Sequence, residues 1–214
     1  MEIAVHSSDH AMATGLVTAA VRMTRFWGMA SAPAVIDRTR AQLREPFTDR
    51  TALDVLAALP RARWLDDDRQ WFTFADPNGR LEVSLDKIFS LATRVKVDEL
   101  SAALAKGLPG VRHAPAHATR NYLIEIGRCE ISGPFVRRPF ASGGHPPSRQ
   151  EAALIRLIEG AGGELDLETV RRRSRTAALP RTTVSQLIKL SPLFLLTPHQ
   201  RVRLIGDGHV AIYA

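Results

Sequence analysis

The side chains best suited to chemistry with an anion lie between Pro180 and Ser191: Arg181, Thr182, Ser185, Gln186 and Lys189. On a 3.6-residue period Thr182, Ser185, Gln186 and Lys189 share one side of a helix about three turns long, with Val184, Leu187, Ile188 and Ser191 on the other. Pro180 suits the first turn of such a helix and Ser191-Pro192 its end. The outward set is polar and free of acids, so from a helix in the major groove it can reach base edges or phosphate oxygens. A merely solvated helix face has the same composition, and the flanking segments bear on the choice.

Residues 193–196 and 201–205 read as a hairpin around Thr197-Pro198-His199-Gln200, with Arg201 and Arg203 alternating outward from Val202 and Leu204. Upstream, Asp166 suits the N-cap of a helix bearing Arg171, Arg172, Arg173 and Arg175. Helical geometry turns Arg172 and Thr176 away from a core of Leu167, Val170 and Ala177, while Arg171 lies nearer that core and must snorkel. An arginine run is usually a solvated face. This one stands one turn before the polar helix, where the first helix of a helix-turn-helix crosses the phosphate backbone. Two helices followed by a basic hairpin spell a winged helix-turn-helix. The expected duplex-DNA contacts are then Arg181, Lys189, Arg201 and Arg203 on phosphates, Thr182, Ser185 and Gln186 near bases, and Arg172 and Arg175 on the preceding helix.

No catalytic constellation accompanies them. The histidines stand at 6, 10, 113, 117, 145, 199 and 209, without an HExxH spacing or a neighbouring carboxylate pattern. His113 and His117 are separated by Ala114-Pro115, which prevents one continuous helix there. Neither GxxxxGK[ST] nor GxGxxG occurs, and the glycines at 143–144 and 160–163 lack the strand before and the lysine after that a phosphate loop needs. No GxSxG elbow is present. Asp66-Asp67-Asp68 reads as a solvated turn, since neighbouring strand residues face opposite ways. The expectation is a non-enzyme with no catalytic residues, metal or cofactor.

With 214 residues, 45% of them hydrophobic, the chain can bury one large core or two to three small ones. Its formal net charge of +7 favours an anionic partner, nucleic acid being the commonest, ahead of a membrane surface or an acidic protein. The excess is local. Residues 1–80 carry ten basic and ten acidic side chains, residues 81–147 nine and six, and residues 148–214 ten and six. No run of eighteen apolar residues exists and MEIAVHSSDH lacks the order of a secretory signal, which predicts a cytoplasmic, nucleoid-associated protein without membrane contact. The single cysteine, Cys129, excludes an intramolecular disulfide and reads as a small half-buried residue beside a strand.

The signals at the C-terminal end recur twice before it, with starts near Leu16, Leu81 and Arg149, 65 and 68 residues apart. In unit one, residues 1–79, Leu16, Val17, Ala20, Val21 and Thr24 predict a helix face closed by Phe26-Trp27-Gly28. Helices over 31–43 and 49–59 follow, then strands at 63–65 and 71–74 around an acidic tip that repels phosphate. Asp76-Pro77-Asn78-Gly79 marks the boundary. In unit two, residues 80–138, Leu81, Leu85, Ile88, Phe89 and Ala92 give the first helix and residues 97–105 the second. A third helix over 116–126 buries Thr119, Leu123 and Ile126 and turns His117, Asn121, Glu125 and Arg128 outward. Weak strands at 129–131 and 135–138 complete it, and Asn121, Arg128, Arg137 and Arg138 form a secondary set of candidate DNA contacts. Residues 139–147, PFASGGHPP, read as a linker that frees unit three, residues 148–214, from the first two. Unit three opens with the capping-box pattern Ser148 and Glu151 before Leu154, Ile155, Leu157 and Ile158, and ends with residues 209–213 as a third strand or a tail. The fold class is mainly α with small β-hairpins, an α+β chain of three tandem winged helix-turn-helix units.

Ala152-Ala153-Leu154, Gly162-Gly163-Glu164-Leu165, Glu168 to Val170, Arg181-Thr182-Thr183-Val184-Ser185 and Ser191-Pro192-Leu193-Phe194 resemble the HARE-type winged helix of the bacterial RNA polymerase delta subunit and of restriction-system regulators. Phe26-Trp27-Gly28, Trp64-Leu65-Asp66 with Trp71-Phe72, and Lys96-Val97-Asp98-Glu99-Leu100 precede that pattern. In this order the motifs are similar to the tandem winged-helix segments of bacterial sigma-factor-like helix-turn-helix proteins, over about 200 residues. The matching positions are fold-determining apolar ones, so the resemblance implies three tandem winged helices and, by analogy, a bacterial transcription regulator. Two wings depart from it. Pro198-His199-Gln200 replaces the usual glycine-containing turn, and the wing of unit two is degenerate.

Two functions of different class follow. In one, unit three docks on double-stranded DNA. In the other, the tandem units are protein-docking blocks of a larger complex, a role suited to the net-neutral unit one. Nothing in the sequence marks a dimer helix, so the oligomeric state stays open.

Overall fold

The computed structural model describes residues 7–43, 46–74, 79–111, 113–138, 145–177 and 179–209. Among them, helices and short antiparallel strands make a mixed α+β fold in which one order, helix, strand, two helices, two strands, is followed three times. The first pass is α1 (Ser7–Trp27), β1 (Ala30–Ser31), α2 (Ala32–Leu43), α3 (Asp49–Ala57), β2 (Arg63–Trp64) and β3 (Trp71–Thr73). The second is α4 (Arg80–Leu91), β4 (Ala92–Lys96), α5 (Val97–Gly107), α6 (Ala116–Ile126), β5 (Glu130–Ser132) and β6 (Phe135–Arg137). The third is α7 (Arg149–Glu159), β7 (Glu164–Asp166), α8 (Leu167–Thr176), α9 (Arg181–Leu190), β8 (Phe194–Leu196) and β9 (Arg201–Leu204), followed by β10 (Asp207–His209). The sheets run β1-β3-β2, β10-β4-β6-β5 and β7-β9-β8, so each pass lays its first strand beside its last.

One backbone bond repeats with the topology. The first residue of the second helix donates its N–H to a carbonyl in the hairpin turn: Ala32 to Gln70 at 2.8 Å, Val97 to Pro134 at 2.9 Å and Leu167 to Gln200 at 2.8 Å. Each turn holds a left-handed residue, Arg69 at φ 54°, Gly133 at φ 57° and Gln200 at φ 56°. Side chains disfavour that conformation, and the bond to an otherwise open helix N-terminus helps to hold it. The acidic β2–β3 turn and the glycine-free β8–β9 turn therefore share a left-handed residue and this bond despite different composition.

Contacts gather the chain into two compact units, the first within Met1–Glu82 and His113–Gly127, the second within Val83–Arg112 and Arg128–Ala214. In the first, Met12, Leu16, Ala20 and Met23 of α1 pack on Val35 and Ile36 of α2, Ala52 and Leu56 of α3, and Phe72 of β3. The apolar face of α1 differs from expectation. The described helix starts at Ser7, and Leu16, Ala20 and Thr24 are buried, but Val17 is half-buried and Val21 is 45% exposed. Met12, Ala19 and Met23 take the place assigned to the valines, because a helix this rich in alanine offers more than one apolar stripe. α6 contributes Tyr122, fully buried, whose hydroxyl lies 3.5 Å from Glu82 Oε1. Ile126, expected in the core, is only half-buried. Gly28 closes α1 at φ 101°, and a Cβ there would lie 2.8 Å from the Tyr122 hydroxyl, so conformation and space both demand glycine.

In the second unit, Leu154, Ile158, Val170, Val184, Ile188, Phe194, Val202 and Leu204 form the buried centre of the third pass. On α8 the buried line passes through Ser174, and Ala177 is exposed, contrary to the expected core. The expected freedom of the third pass is corrected here. β10 pairs with β4 (Asp207↔Arg94, His209↔Ala92), Lys87 of α4 bonds Glu151 of α7 at 3.0 Å, and Arg203 of β9 bonds Glu99 of α5 at 2.7 Å. A ladder and two ion pairs thus tie what a Pro/Gly-rich segment was expected to release. Gly206 makes the step from β9 to β10 at φ 72°, where a Cβ would lie 2.5 Å from the Arg94 carbonyl. His145 is exposed as expected and sits 3.4 Å from Asp86. Residues 139–144 of the expected linker, 75–78 of the expected boundary turn and 210–214 lie outside the described residues.

Candidate nucleic-acid interface

α8 begins at Asp166, whose carboxylate accepts the Thr169 N–H at 2.8 Å as a helix N-cap. Hydrogen bonds from the Thr169 hydroxyl and N–H, then from Glu168, together with the Arg172 charge, hold this carboxyl below its ordinary pKa. Along the helix, Arg172 and Arg175 are exposed, while Arg171 is half-buried and lies 3.5 Å from Glu168, as snorkelling requires.

α9 begins one residue later than expected. Pro180 takes the cap position at φ −60°, ψ 144°, and its own side chain makes no capping bond to the first turn. Val184 and Ile188 are buried, whereas Arg181, Thr182, Ser185, Gln186 and Lys189 are all exposed. At about 100° per residue these five fan over about 140° of the helix circumference. Among the described residues, no ion pair involves Arg172, Arg175, Arg181 or Lys189.

The far end of α9 is pinned by a residue that the sequence reading passed over. Lys106 Nζ, at the end of α5, donates to the carbonyls of Ile188 at 3.0 Å and Phe194 at 2.6 Å. A cation suits the negative end of a helix, and the bonds fix α9 against the hairpin strand that follows it. Burial lowers the Lys106 pKa. The partner carbonyl of Ile188 is 82 residues away, and nothing in the sequence around Lys106 points to it.

The arginines of the β8–β9 hairpin are less free than expected. Arg203, assigned to phosphate, is bonded to Glu99 at 2.7 Å with its side chain 32% exposed, because β9 turns it toward α5. Arg201 pairs across strands with Glu164 at 3.1 Å but is 52% exposed. Of the secondary set, Asn121 belongs to the first unit and Arg128, Arg137 and Arg138 to the second. The Asn121 amide donates to the Leu65 carbonyl at 2.9 Å. Arg138 is an ion-pair partner of Asp86 with its side chain 4% exposed, which removes it from any surface role. Arg128 and Arg137 are exposed, and Arg137 borders a shallow hollow with Arg94 and Phe135.

Among the described residues, no helix is long and apolar enough to cross a membrane. No protein-family model matches this chain, and neither does any curated protein.

Proposed function

We propose that each pass is a winged helix and that the third binds double-stranded DNA, with α9 entering the major groove and α8 lying across the phosphate backbone. The outward face of α9 carries this reading: five exposed polar side chains, two of them cationic, with no carboxylate paired to either among the described residues. Arg181 and the first turn present charge and N–H groups to a phosphate. Thr182, Ser185 and Gln186 reach base edges, and Arg172 and Arg175 meet neighbouring phosphates. Arg201 adds one contact by exchanging Glu164, since exposed pairs contribute at most about 1 kcal/mol. Arg203 and Arg138 leave the set because they are held inside the fold. A DNA-binding regulator of transcription is the role this interface fits.

The test is fluorescence anisotropy of the full chain with a labelled random-sequence duplex of about 20 base pairs, at about 50 and about 200 mM salt. Five phosphate contacts give a log–log salt slope of about −4.5, and Arg181→Ala with Lys189→Ala reduces it by about 2 while weakening all sequences alike. A salt-independent affinity defeats the proposal.

A further inference from the structure

The first unit carries a groove that its own fold leaves open. The ridge Val17, Val21 and Arg25 of α1 separates two hollows. One, about 450 Å³, is walled by Leu59 after α3 and Phe74 after β3; the other, about 740 Å³, is bordered by Thr18, Arg22 and Phe26. Val21 and Phe26 are apolar yet each 45% exposed. The rim is cationic: Arg22, Arg25 and Arg61 are exposed, and among the described residues no acid lines either hollow. None of these arginines enters an ion pair among the described residues. The first 80 residues balance ten basic against ten acidic side chains, so charge here is segregated rather than in excess. Asp66, Asp67 and Asp68 lie in the β2–β3 turn, and Asp37 and Asp49 engage Arg40.

We infer that this groove docks an acidic amphipathic helix of a partner protein. Three observations select the occupant. An apolar floor favours side chains that leave water, which a phosphate backbone does not supply. A ridge spaced i, i+4, i+8 with a hollow on each side accepts the side-chain rows of a second helix. Arginines around the rim complement Asp and Glu flanking those apolar rows, whereas a second copy of this chain in a two-fold contact would set arginine against arginine. This site uses none of the residues assigned to DNA, so the two proposals fail independently.

The experiment pans a display library of random peptides, about 16 residues long to allow four helical turns, on the immobilised full chain. Enriched clones are expected to carry Leu, Ile, Phe or Trp at three- and four-residue spacing with Asp or Glu beside them. Labelled copies should lose at least about tenfold in affinity for the Arg25→Glu, Arg61→Glu double variant. Exchanging Glu for Lys in the peptide should restore binding to that variant, and Arg181→Ala with Lys189→Ala should leave peptide affinity unchanged. Circular dichroism of the reversed variant, whose changes are both at exposed positions, confirms that it is folded. The inference is overturned by no enrichment, by clones without acidic bias, or by affinity indifferent to the arginines. It is equally overturned by self-association that disappears in the double variant, or by duplex DNA whose binding depends on Arg25 and Arg61.

Discussion

α6 and α9 are the third helices of successive passes, and the outward face of each looks polar in sequence. In α6 that face is occupied by the chain itself: Asn121 donates to the Leu65 carbonyl, and Glu125 pairs with Arg63 at 3.2 Å. In α9 the corresponding side chains are exposed, and among the described residues neither Arg181 nor Lys189 enters an ion pair. The helices differ less in amphipathicity than in what the fold brings up to them. An outward polar helix stays open to a partner where tertiary structure leaves it bare, and is a structural clamp where a hairpin such as β2–β3 arrives.

The sharpest way to break this comparison is charge reversal on both helices. Arg181→Glu with Lys189→Glu on α9 should reduce duplex affinity at low salt about 100-fold, whereas His117→Glu with Arg120→Glu on α6 should change it less than about twofold. Equal losses in the anisotropy titration would show that α6 also faces DNA.

A second test addresses the support behind α9. Buried Glu151 accepts the Ser148 N–H at 2.8 Å, the Ser191 hydroxyl at 2.7 Å and the Lys87 ammonium at 3.0 Å, joining α7 to α4 and to the end of α9. Burial acts to raise its pKa, but the bonds from Ser191, Ser148 and Lys87 and the Lys87 charge outweigh it and leave the folded value below the ordinary 4.5. Protonation is therefore harder in the folded state. The contribution is complete above 4.5 and is lost as pH falls through the folded pKa. Glu151→Gln should cost about 2 kcal/mol in urea unfolding near neutral pH, and the gap from the parent protein should narrow as the pH falls below 4.5. A gap constant with pH would mean that the charge contributes nothing.

Smaller effects separate clamp from interface. Asn121→Ala should destabilise the first unit by about 1 kcal/mol, read as a lowered urea midpoint, and leave duplex affinity unchanged. Arg201→Ala should do the reverse, with stability within about 0.5 kcal/mol and the salt slope shallower by about 1.

Local signals in the sequence identified the helices well. The Ser148–Glu151 capping box and the Asp166 cap are both formed, because such bonds span three residues and need no tertiary partner. The polar face of α9 was legible for the same reason, since helical period alone decides which side Val184 and Ile188 occupy. What escaped were features made by distant chain. β1, β4 and β7 are two to five residues long, too short to show alternation, and exist because a later strand pairs with them. Arg203 met Glu99 across 104 positions and Asn121 met Leu65 across 56, so exposure was legible for Arg181 but partnership was not for Arg203.

β10 also constrains when the protein can fold. Thr93 donates to the Asp207 carbonyl 114 positions later, so a chain leaving the ribosome exposes one edge of β4 until β10 emerges. The first unit waits as well, because Tyr122 and Leu123 reach its core only after residues 83–112 have been made. In order of synthesis the first segment of the second unit therefore falls between the two segments of the first, and each unit is completed only by its later segment. A chain stopped before Asp207 would keep the basic face of α9 yet carry an open strand edge, a template for pairing with other chains.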